Sequence, residues 1–542
     1  MQIFRQYKYF WIFLLIFVLT ACQQAKSSHH RLSPLPQDPL VQIYFNHSQS
    51  SEYKETYRQQ TRLGDDLEKL IVDAIYQAKS TVDVAVQELR LPKIAQALVD
   101  KQKAGVKVRV ILENTYSRPW SSLTPDELKK LAPRDRERYN EFYQFIDINQ
   151  DKKLSVEEIN QRDALVILQN AKVPLIDDRS DASAGSSLMH HKFVIVDNRL
   201  IIVSSANFTL SDTSGDFSNL SSLGNANNLL QIDSPELANE FTQEFNIMWG
   251  DGPGGKPDSK FGLNKPLRSA KTITLGKSKI TVQFSPVSPT QPWAKTSNGL
   301  IGETLNSANK SIDMALFVFS EQLLANILET RHQENVVIRA LIEPQFAFRP
   351  YSEALDMMGV ALANKCKYEI DNQPWQNPIT SVGVPTLNKG DLLHHKFAVI
   401  DNQIVITGSH NWSDAANNSN DETLIVIENP TIASHYVREF DRLYAKAKLG
   451  LPPAIQAKIA AEAKKCSHIT TVTASKNLST KIVNLNTASL EELATLPGVG
   501  KKLAQRIINA RQQQKFNSLQ DLAKVPGISR KMLEKWHGYV TL

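Results

Sequence analysis

Two short runs of the chain hold side chains able to act on a phosphodiester: His190, His191 and Lys192 ending in Asp197, and His394, His395 and Lys396 ending in Asp401. The residues between each lysine and its aspartate are apolar, so each run reads as a strand, in which side chains two apart share a face. His190 and Lys192 therefore project together, as do His394 and Lys396, while His191 and His395 point the other way and are expected to be packed or solvent-facing. A second apolar stretch follows each run and leads to a polar corner, Ser204 to Asn207 in one case and Gly408 to Asn411 in the other. Ser205, Asn207, Ser409 and Asn411 supply hydroxyl and amide groups there. If the two sets meet about an approximate two-fold axis, one pocket receives two imidazoles, two ammonium groups and two carboxamides. In such a pocket lysines and asparagines hold the non-bridging oxygens, one histidine attacks phosphorus, and the other protonates the leaving oxygen. A phosphohistidine forms and water cleaves it. This residue set needs no metal.

The elements that must position these groups occur twice. Val41–Phe45 answers to Val282–Pro286, Ala78–Asp83 to Ala308–Asp313, and Val108–Glu113 to Ile338–Glu343. Apolar runs alternate with amphipathic stretches such as residues 67–78, the pattern of α/β layers with largely buried strands. The predicted fold is a duplicated α/β sandwich, with halves at 41–252 and 265–450 separated by the glycine- and proline-rich run 250–257. Residues 23–40 and 451–480 read as linkers, and 481–542 as a small all-α domain.

The paired motifs, each followed by a Ser-x-Asn corner, resemble those of the phospholipase D superfamily over roughly residues 41–448. That family contains lipid hydrolases, phospholipid synthases and nucleases. The resemblance implies that Asp197 and Asp401 are structural supports rather than reacting groups. It also implies an acid behind a catalytic histidine, a role for which the second half has Glu422, after Asn420 and Asp421; the first half has Asn225, Ala226 and Asn227, so one acid serves two histidines. In two-halved relatives such as tyrosyl-DNA phosphodiesterase the second half's acid supports the first half's nucleophile. By that analogy Glu422 backs His190, which attacks, and His394 is the acid and base. Two similar imidazoles leave the converse assignment open. Ser204 stands where the family usually has glycine, which puts the shape of that corner in question.

An insertion at about 119–163 has no counterpart in the second half. Within it Asp147, Asn149, Asp151, Ser155 and Glu158 place side-chain oxygens at the first, third, fifth, ninth and twelfth positions of an EF-hand-like loop, with the Lys153 carbonyl at the seventh. Structural, non-catalytic calcium is the expectation. Lys152 occupies the sixth position, where glycine is usual, and a left-handed lysine costs on the order of 1 kcal/mol.

The chain begins with Arg5 and Lys8, then an apolar run to Ala21, the layout of an export signal. Leu19 to Cys22 resembles the lipobox of bacterial lipoproteins, which implies cleavage after residue 21, lipidation of Cys22 and attachment to the cell envelope. Gln23 after the cysteine, rather than aspartate, usually permits sorting to an outer membrane in such proteins. In an oxidising compartment Cys366 and Cys466 can pair.

The net charge of +6 is concentrated in residues 479–542, which hold ten Lys/Arg against four Asp/Glu. There an N-capped helix leads to Pro497, Gly498 and Gly500 and then to Lys501 and Lys502, and the hairpin recurs at Gly527, Arg530 and Lys531. This resembles the tandem helix-hairpin-helix module of the bacterial competence DNA receptor, and implies DNA binding through backbone N–H groups and lysines without base readout. In the second hairpin Ile528 and Ser529 follow the glycine, so a second glycine is missing. Two substrates stay open: DNA, held by the tail, or a phospholipid of the phosphatidylcholine type on an anionic surface. Trp293, Phe346, Phe348, Trp375 and Trp412 are candidates to line the pocket for acyl chains or to stack bases, although such aromatics are more often core residues.

Overall fold

The structure is a computed structural model describing residues 31–542, except 184–185, 370, 467–482 and, towards the C-terminus, 495, 497–498, 500, 517–518, 523–524, 526–527, 529–531, 534–535 and 537–539. The export signal and Cys22 thus lie outside the described residues.

The first half is built on a seven-stranded sheet of β1 (Val41–Phe45), β2 (Thr81–Val86), β3 (Lys107–Leu112), β4 (Leu175–Asp177), β5 (Lys192–Val196), β6 (Leu200–Ser204) and β7 (Asn228–Asp233), in the order β1-β7-β6-β5-β2-β3-β4. The second contains β8 (Lys271–Leu275), β9 (Ser278–Ser285), β10 (Ser311–Leu316), β11 (Val337–Ile342), β12 (Val382–Val384), β13 (Lys396–Ile400), β14 (Ile404–Gly408), β15 (Asn420–Glu428) and β16 (Lys448–Leu449). Its order is β8-β9-β15-β14-β13-β10-β11-β12-β16, so that without the two edge strands it repeats the first sheet strand for strand. A two-residue strand of the first half, Leu188–Met189, crosses over to pair with β15.

One expected correspondence shifts. Phe45 lies opposite Asn228 and Phe284 opposite Thr423, so Val41–Phe45 is equivalent to 280–284, two residues earlier than the sequence overlay. A slip of two keeps every side chain on its face, and an alternating pattern cannot detect it.

Helices cover the sheets in layers. On the outer face of the first sheet, α1 (Leu67–Tyr76) and α2 (Pro92–Lys103) bury Ile71, Ile75, Ile94 and Leu98 against Val82, Val84 and Val110. The insertion adds α3 (Pro133–Ile146) and α4 (Val156–Arg162). Next comes α5 (Pro235–Trp249), while α6 (Ser297–Asn306) and α7 (Gln322–Gln333) cover the outer face of the second sheet. With α8 (Pro430–Tyr444), α5 forms a middle layer whose Phe241, Phe245, Tyr436 and Phe440 share one core with Phe193 and Phe397 of the two sheets. The duplication extends to detail. Ser234 caps α5 and Asn429 caps α8, each followed by proline at the first helical position. Asp83 pairs bidentately with Arg109, and Asp313 with Arg339; each guanidinium lies over a middle-layer ring, Arg109 4.6 Å from Phe245 and Arg339 4.8 Å from Phe440.

The segment read as a linker at 451–480 contains α9 (Pro453–Lys465). Cys466 at its end is disulfide-bonded to Cys366, Cα to Cα 5.3 Å. The C-terminal domain includes α10 (Lys501–Gln513) and has its own core, among it Leu485, Ile507, Leu522 and Trp536.

Candidate active site at the junction of the halves

Each lysine motif opens a central strand, and the backbone stitches the two openings together. His190 N–H donates to the Asp421 carbonyl and His394 N–H to the Ala226 carbonyl, at 2.9 and 3.1 Å, so each histidine is held by the other half. The aspartates lie at the opposite ends of these strands, in turns where Asp197, Asn198, Asp401 and Asn402 all take positive φ, which Asp and Asn tolerate better than most residues. Asp197 accepts from the backbone N–H groups of Lys79, Ser80 and Thr81, and Asp401 from those of Asn309, Lys310 and Ser311. Burial pushes both carboxyls up, but these donors outweigh it and hold them below the usual range. They tie the sheet together away from the chemistry.

At the junction His190 Nδ1–H donates to Glu422 Oε2 at 2.7 Å, and His394 Nδ1–H donates to Asn227 Oδ1 at 3.0 Å. Ser409 Oγ donates to Glu422 Oε2 at 2.6 Å, and Ser205 Oγ to Asn227 Oδ1 at 2.7 Å. The arrangement is two-fold, with carboxylate and carboxamide exchanged. In both rings Nδ1 is engaged by this partner, which leaves Nε2 for chemistry. Lys192 Nζ donates to the His190 carbonyl and to Gln87, whereas Lys396 Nζ donates to the His394 carbonyl and sits 4.8 Å from the centre of the Phe317 ring. The side-chain oxygens of Asn207 and Asn411 are buried without a hydrogen-bond partner.

All four basic groups are buried. Burial, followed by the charges of Lys192 and Lys396, holds the imidazoles of His190 and His394 well below their usual value, so both are neutral near pH 7. Burial also lowers Lys192 to about 8 and drives Lys396 well down. Glu422 is pushed up by burial, against the pull of His410 and Lys192. A cationic cluster with depressed proton affinity is a preorganised anion site: a bound phosphodiester supplies the charge that the buried lysines lack.

His191 and His395 are packed in the middle core. His191 Nδ1 meets Thr423 Oγ1 at 2.8 Å, and His395 Nε2 meets Glu439 Oε1 at 2.9 Å. At the corners, Gly408 has φ 131° and an added Cβ would fall 2.2 Å from the Thr423 carbonyl, whereas Ser204 replaces glycine and donates Oγ to the Asn228 carbonyl at 2.7 Å. The first corner therefore keeps its place by a side-chain bond. Of the candidate aromatics, Trp375 and Trp412 are core residues. Phe346 packs edge-on against Phe317, which itself packs edge-on against His394 at 4.8 Å.

The sequence reading missed one acid. Asp212 Oδ1 lies 3.8 Å from His394 Nδ1, so carboxylates stand near both histidines. Asp212 lies five residues beyond Asn207, outside any motif, and only the fold of the loop after the first corner brings it in.

The EF-hand-like loop stands apart from this site. Lys152 is left-handed there, φ 64°. Asp147 accepts from the N–H groups of Asp151 and Lys152, Asp151 from that of Lys153, and Glu158 from those of Ile148 and Asn149 while forming a capping box with Ser155. Helix α3, which leads into the loop, is tied to the first sheet by Arg138, which pairs with Glu88, the residue after the Lys192 partner Gln87. In the C-terminal domain Gly498, Gly500, Gly527, Arg530 and Lys531 lie outside the described residues, as do the side chains of Lys501 and Lys502.

Residues 71–249 and 301–444 match the family described as cardiolipin synthase, PLD-like domain. The chain belongs to the phospholipase D superfamily. Residues 479–541 match the helix-hairpin-helix motif. The chain is 26% identical to the mitochondrial cardiolipin hydrolase of Xenopus laevis over 185 residues, covering 33% of this chain and 78% of that protein. It is 26% identical to the human protein of that name over 153 residues, 28% of this chain and 53% of that protein. A phospholipase D of Rickettsia conorii is 25% identical over 166 residues, 31% of this chain and 70% of that one. The chain thus spans from about half to about four-fifths of these curated relatives, each of which matches a third of it or less. Among solved structures, phosphatidylserine synthase of Haemophilus influenzae is 11% identical, with TM-score 0.45, over 81% of this phospholipase D superfamily chain and 96% of the synthase. Nuc of Salmonella typhimurium is 20% identical, with TM-score 0.25, over 32% of this chain and all of Nuc.

Proposed function

We propose that this protein is an exported, envelope-anchored nuclease that hydrolyses DNA through a phosphohistidine on His190 and holds its substrate by the C-terminal module. The observation carrying the catalytic part is the unequal backing of the two histidines. Glu422 accepts the Nδ1 proton of His190, which keeps Nε2 an unprotonated nucleophile and stabilises the positive ring that forms when Nε2 bonds to phosphorus. His394, backed by an amide, gives up a proton more readily.

The steps follow from these positions. The phosphodiester enters between Lys192 and Lys396, with Asn207 and Asn411 at its non-bridging oxygens, and its negative charge lets His394, neutral in the free enzyme, take up a proton at Nε2. His190 Nε2 attacks phosphorus, the bond to the leaving oxygen breaks, and His394 Nε2–H protonates that oxygen. His394, now neutral, takes a proton from water as the hydroxyl displaces the phosphoryl group from His190. The DNA part rests on the helix-hairpin-helix match, which covers the basic tail itself. Attachment to the envelope rests on the signal-like N-terminus and its lipobox-like ending at Cys22, the residue that would carry the lipid.

A phospholipid substrate is favoured instead by the apolar wall of Phe317 and Phe346 beside His394 and by relatives named as cardiolipin hydrolase and phospholipase D. The test is a side-by-side assay in EDTA of the form lacking residues 1–22, on plasmid and single-stranded DNA and on phosphatidylcholine and cardiolipin vesicles. Cleavage of DNA alone supports the nuclease; turnover of lipid alone refutes it. Calcium is proposed as a structural ligand of Asp147, Asn149, Asp151, Ser155, Glu158 and the Lys153 carbonyl, with Lys152 already in the turn conformation that the site requires. Calorimetric titration with calcium is the check, and no heat of binding would dismiss it.

A further inference from the structure

Among the described residues, one buried carboxylate near the reacting histidines has no role in the steps above. Asp212 is 4% exposed. Its Oδ1 lies 3.8 Å from His394 Nδ1 and accepts from Asn225 Nδ2 at 2.5 Å, and its Oδ2 accepts from the Asn207 backbone N–H at 2.8 Å. Asn227 links the two groups: its Oδ1 accepts from His394, and its Nδ2 donates to the Asp212 carbonyl at 3.0 Å and lies 3.5 Å from Oδ1. The second half has no counterpart: Ala416 follows the helix-capping Ser413 at the place where Asp212 follows Thr209.

We infer that Asp212 is the positioning residue for the acid step, holding Asn227 against His394 and favouring the charged ring from which the leaving oxygen takes its proton. This rests on His394 being the acid, as proposed above. The need is physical. His394 faces Lys396 from its own strand, Lys192 and His190 from the first half, His395 behind it and the Phe317 ring, so every other titratable neighbour named opposes its protonation. Asp212 is the opposing charge, and it also faces Lys192 and Lys396. Asp216 is its acidic neighbour, half-buried in the same loop. Glu422 is committed to His190 and Ser409. Placing the carboxylate behind an amide, rather than on Nδ1, leaves His394 able to release its proton, whereas direct contact keeps His190 as the nucleophile. Asp212 also fixes Asn207 through the backbone, so one side chain aligns an oxygen-binding amide and the acid.

The experiment compares two leaving groups. A DNA oligonucleotide expels an alkoxide that needs a proton, and a thymidine 4-nitrophenyl phosphodiester expels a phenolate that does not. Asp212→Asn keeps an acceptor for the Asn207 N–H but removes the charge. It is expected to slow the oligonucleotide by about tenfold or more while the nitrophenyl ester stays within about threefold, and to move the alkaline limb of the oligonucleotide pH profile down by about one unit, the equivalent of tenfold. In the otherwise unchanged enzyme, Asn227→Asp gives up the donation to the Asp212 carbonyl but sets a carboxylate directly on His394 Nδ1, and is expected to move that limb up. Equal slowing of both substrates by Asp212→Asn, or slowing of neither, would overturn the inference. If His394→Ala slows the first-turnover release of both leaving groups alike, the acid role of His394 falls, and this inference with it.

Discussion

Replacing Glu422 with glutamine tests the unequal backing of the two histidines, because it gives His190 the kind of partner that His394 already has. The glutamine amide oxygen can still accept the Nδ1 proton now donated at 2.7 Å, and Ser409 Oγ keeps an acceptor. The change is therefore one of charge more than shape. When His190 carries a phosphoryl group its ring is positive. A carboxylate centred about 4 Å from that charge contributes about 4 kcal/mol at an effective dielectric of about 20. The amide dipole and its hydrogen bond recover about half, since a charge-assisted bond is worth roughly twice a neutral one. The expected loss is about 2–4 kcal/mol of transition-state stabilisation, or about 30- to 1000-fold in kcat. KM should change little, because the phosphate oxygens are held by Lys192, Lys396, Asn207 and Asn411. Single-turnover kinetics on an activated phosphodiester, read as the burst of released phenol, isolates the attack step. A burst within threefold of the parent rate would refute this placement of the charge, as would an equal loss of DNA affinity.

The pH profiles should separate free from bound enzyme. His394 is held well below its usual value by burial and then by the two lysine charges, and a bound phosphate anion cancels part of that effect, so its protonated form persists to higher pH in the complex. The alkaline limb of kcat/KM should therefore lie at lower pH than that of kcat; coincident limbs would contradict this. On the acid side, activity should fall as Glu422 takes up its proton, at a pH above the ordinary glutamate value of 4.5 because burial raises it. Arg109→Ala should destabilise the fold by about 3 kcal/mol in chemical denaturation, because it strands the buried Asp83, and adding Asp83→Ala should recover much of that. Gly408→Ala should abolish most activity, since its Cβ meets the Thr423 carbonyl and displaces Ser409, while Ser204→Gly should be tolerated with circular dichroism unchanged. Removing residues 479–542 should weaken DNA binding and flatten its salt dependence, with turnover of a small activated ester retained.

The meeting of the two motif sets was legible because strand geometry leaves few choices. A histidine and a lysine two apart on a strand must share a face, and two copies in one chain must be fitted into one fold. The equivalence of Asp83 with Asp313 and of Arg109 with Arg339 was legible too, because each motif holds charges at fixed places between apolar neighbours. The register of β9 was not, since alternation repeats every two residues and offers no anchor. Helix α9 escaped notice because its residues are mostly exposed, leaving little apolar stripe to mark it. Asp212 was missed for a different reason: it approaches His394 across the junction, through a loop whose path depends on Asn46, Asn225 and Asn227 bonding one another, and no local pattern encodes that meeting. Trp375 and Trp412 looked like candidates for a pocket because sequence gives residue type without depth.

The most direct test is to trap the covalent intermediate. The His394→Ala variant, incubated in EDTA with the thymidine 4-nitrophenyl phosphodiester, quenched in alkali and digested for mass spectrometry, should carry the nucleotidyl group on the peptide containing His190, attached through nitrogen and labile to acid. A label on His394 in the converse His190→Ala variant, with none on His190, would reverse the assignment, and no label in either variant, with turnover intact in the parent, would contradict the covalent mechanism.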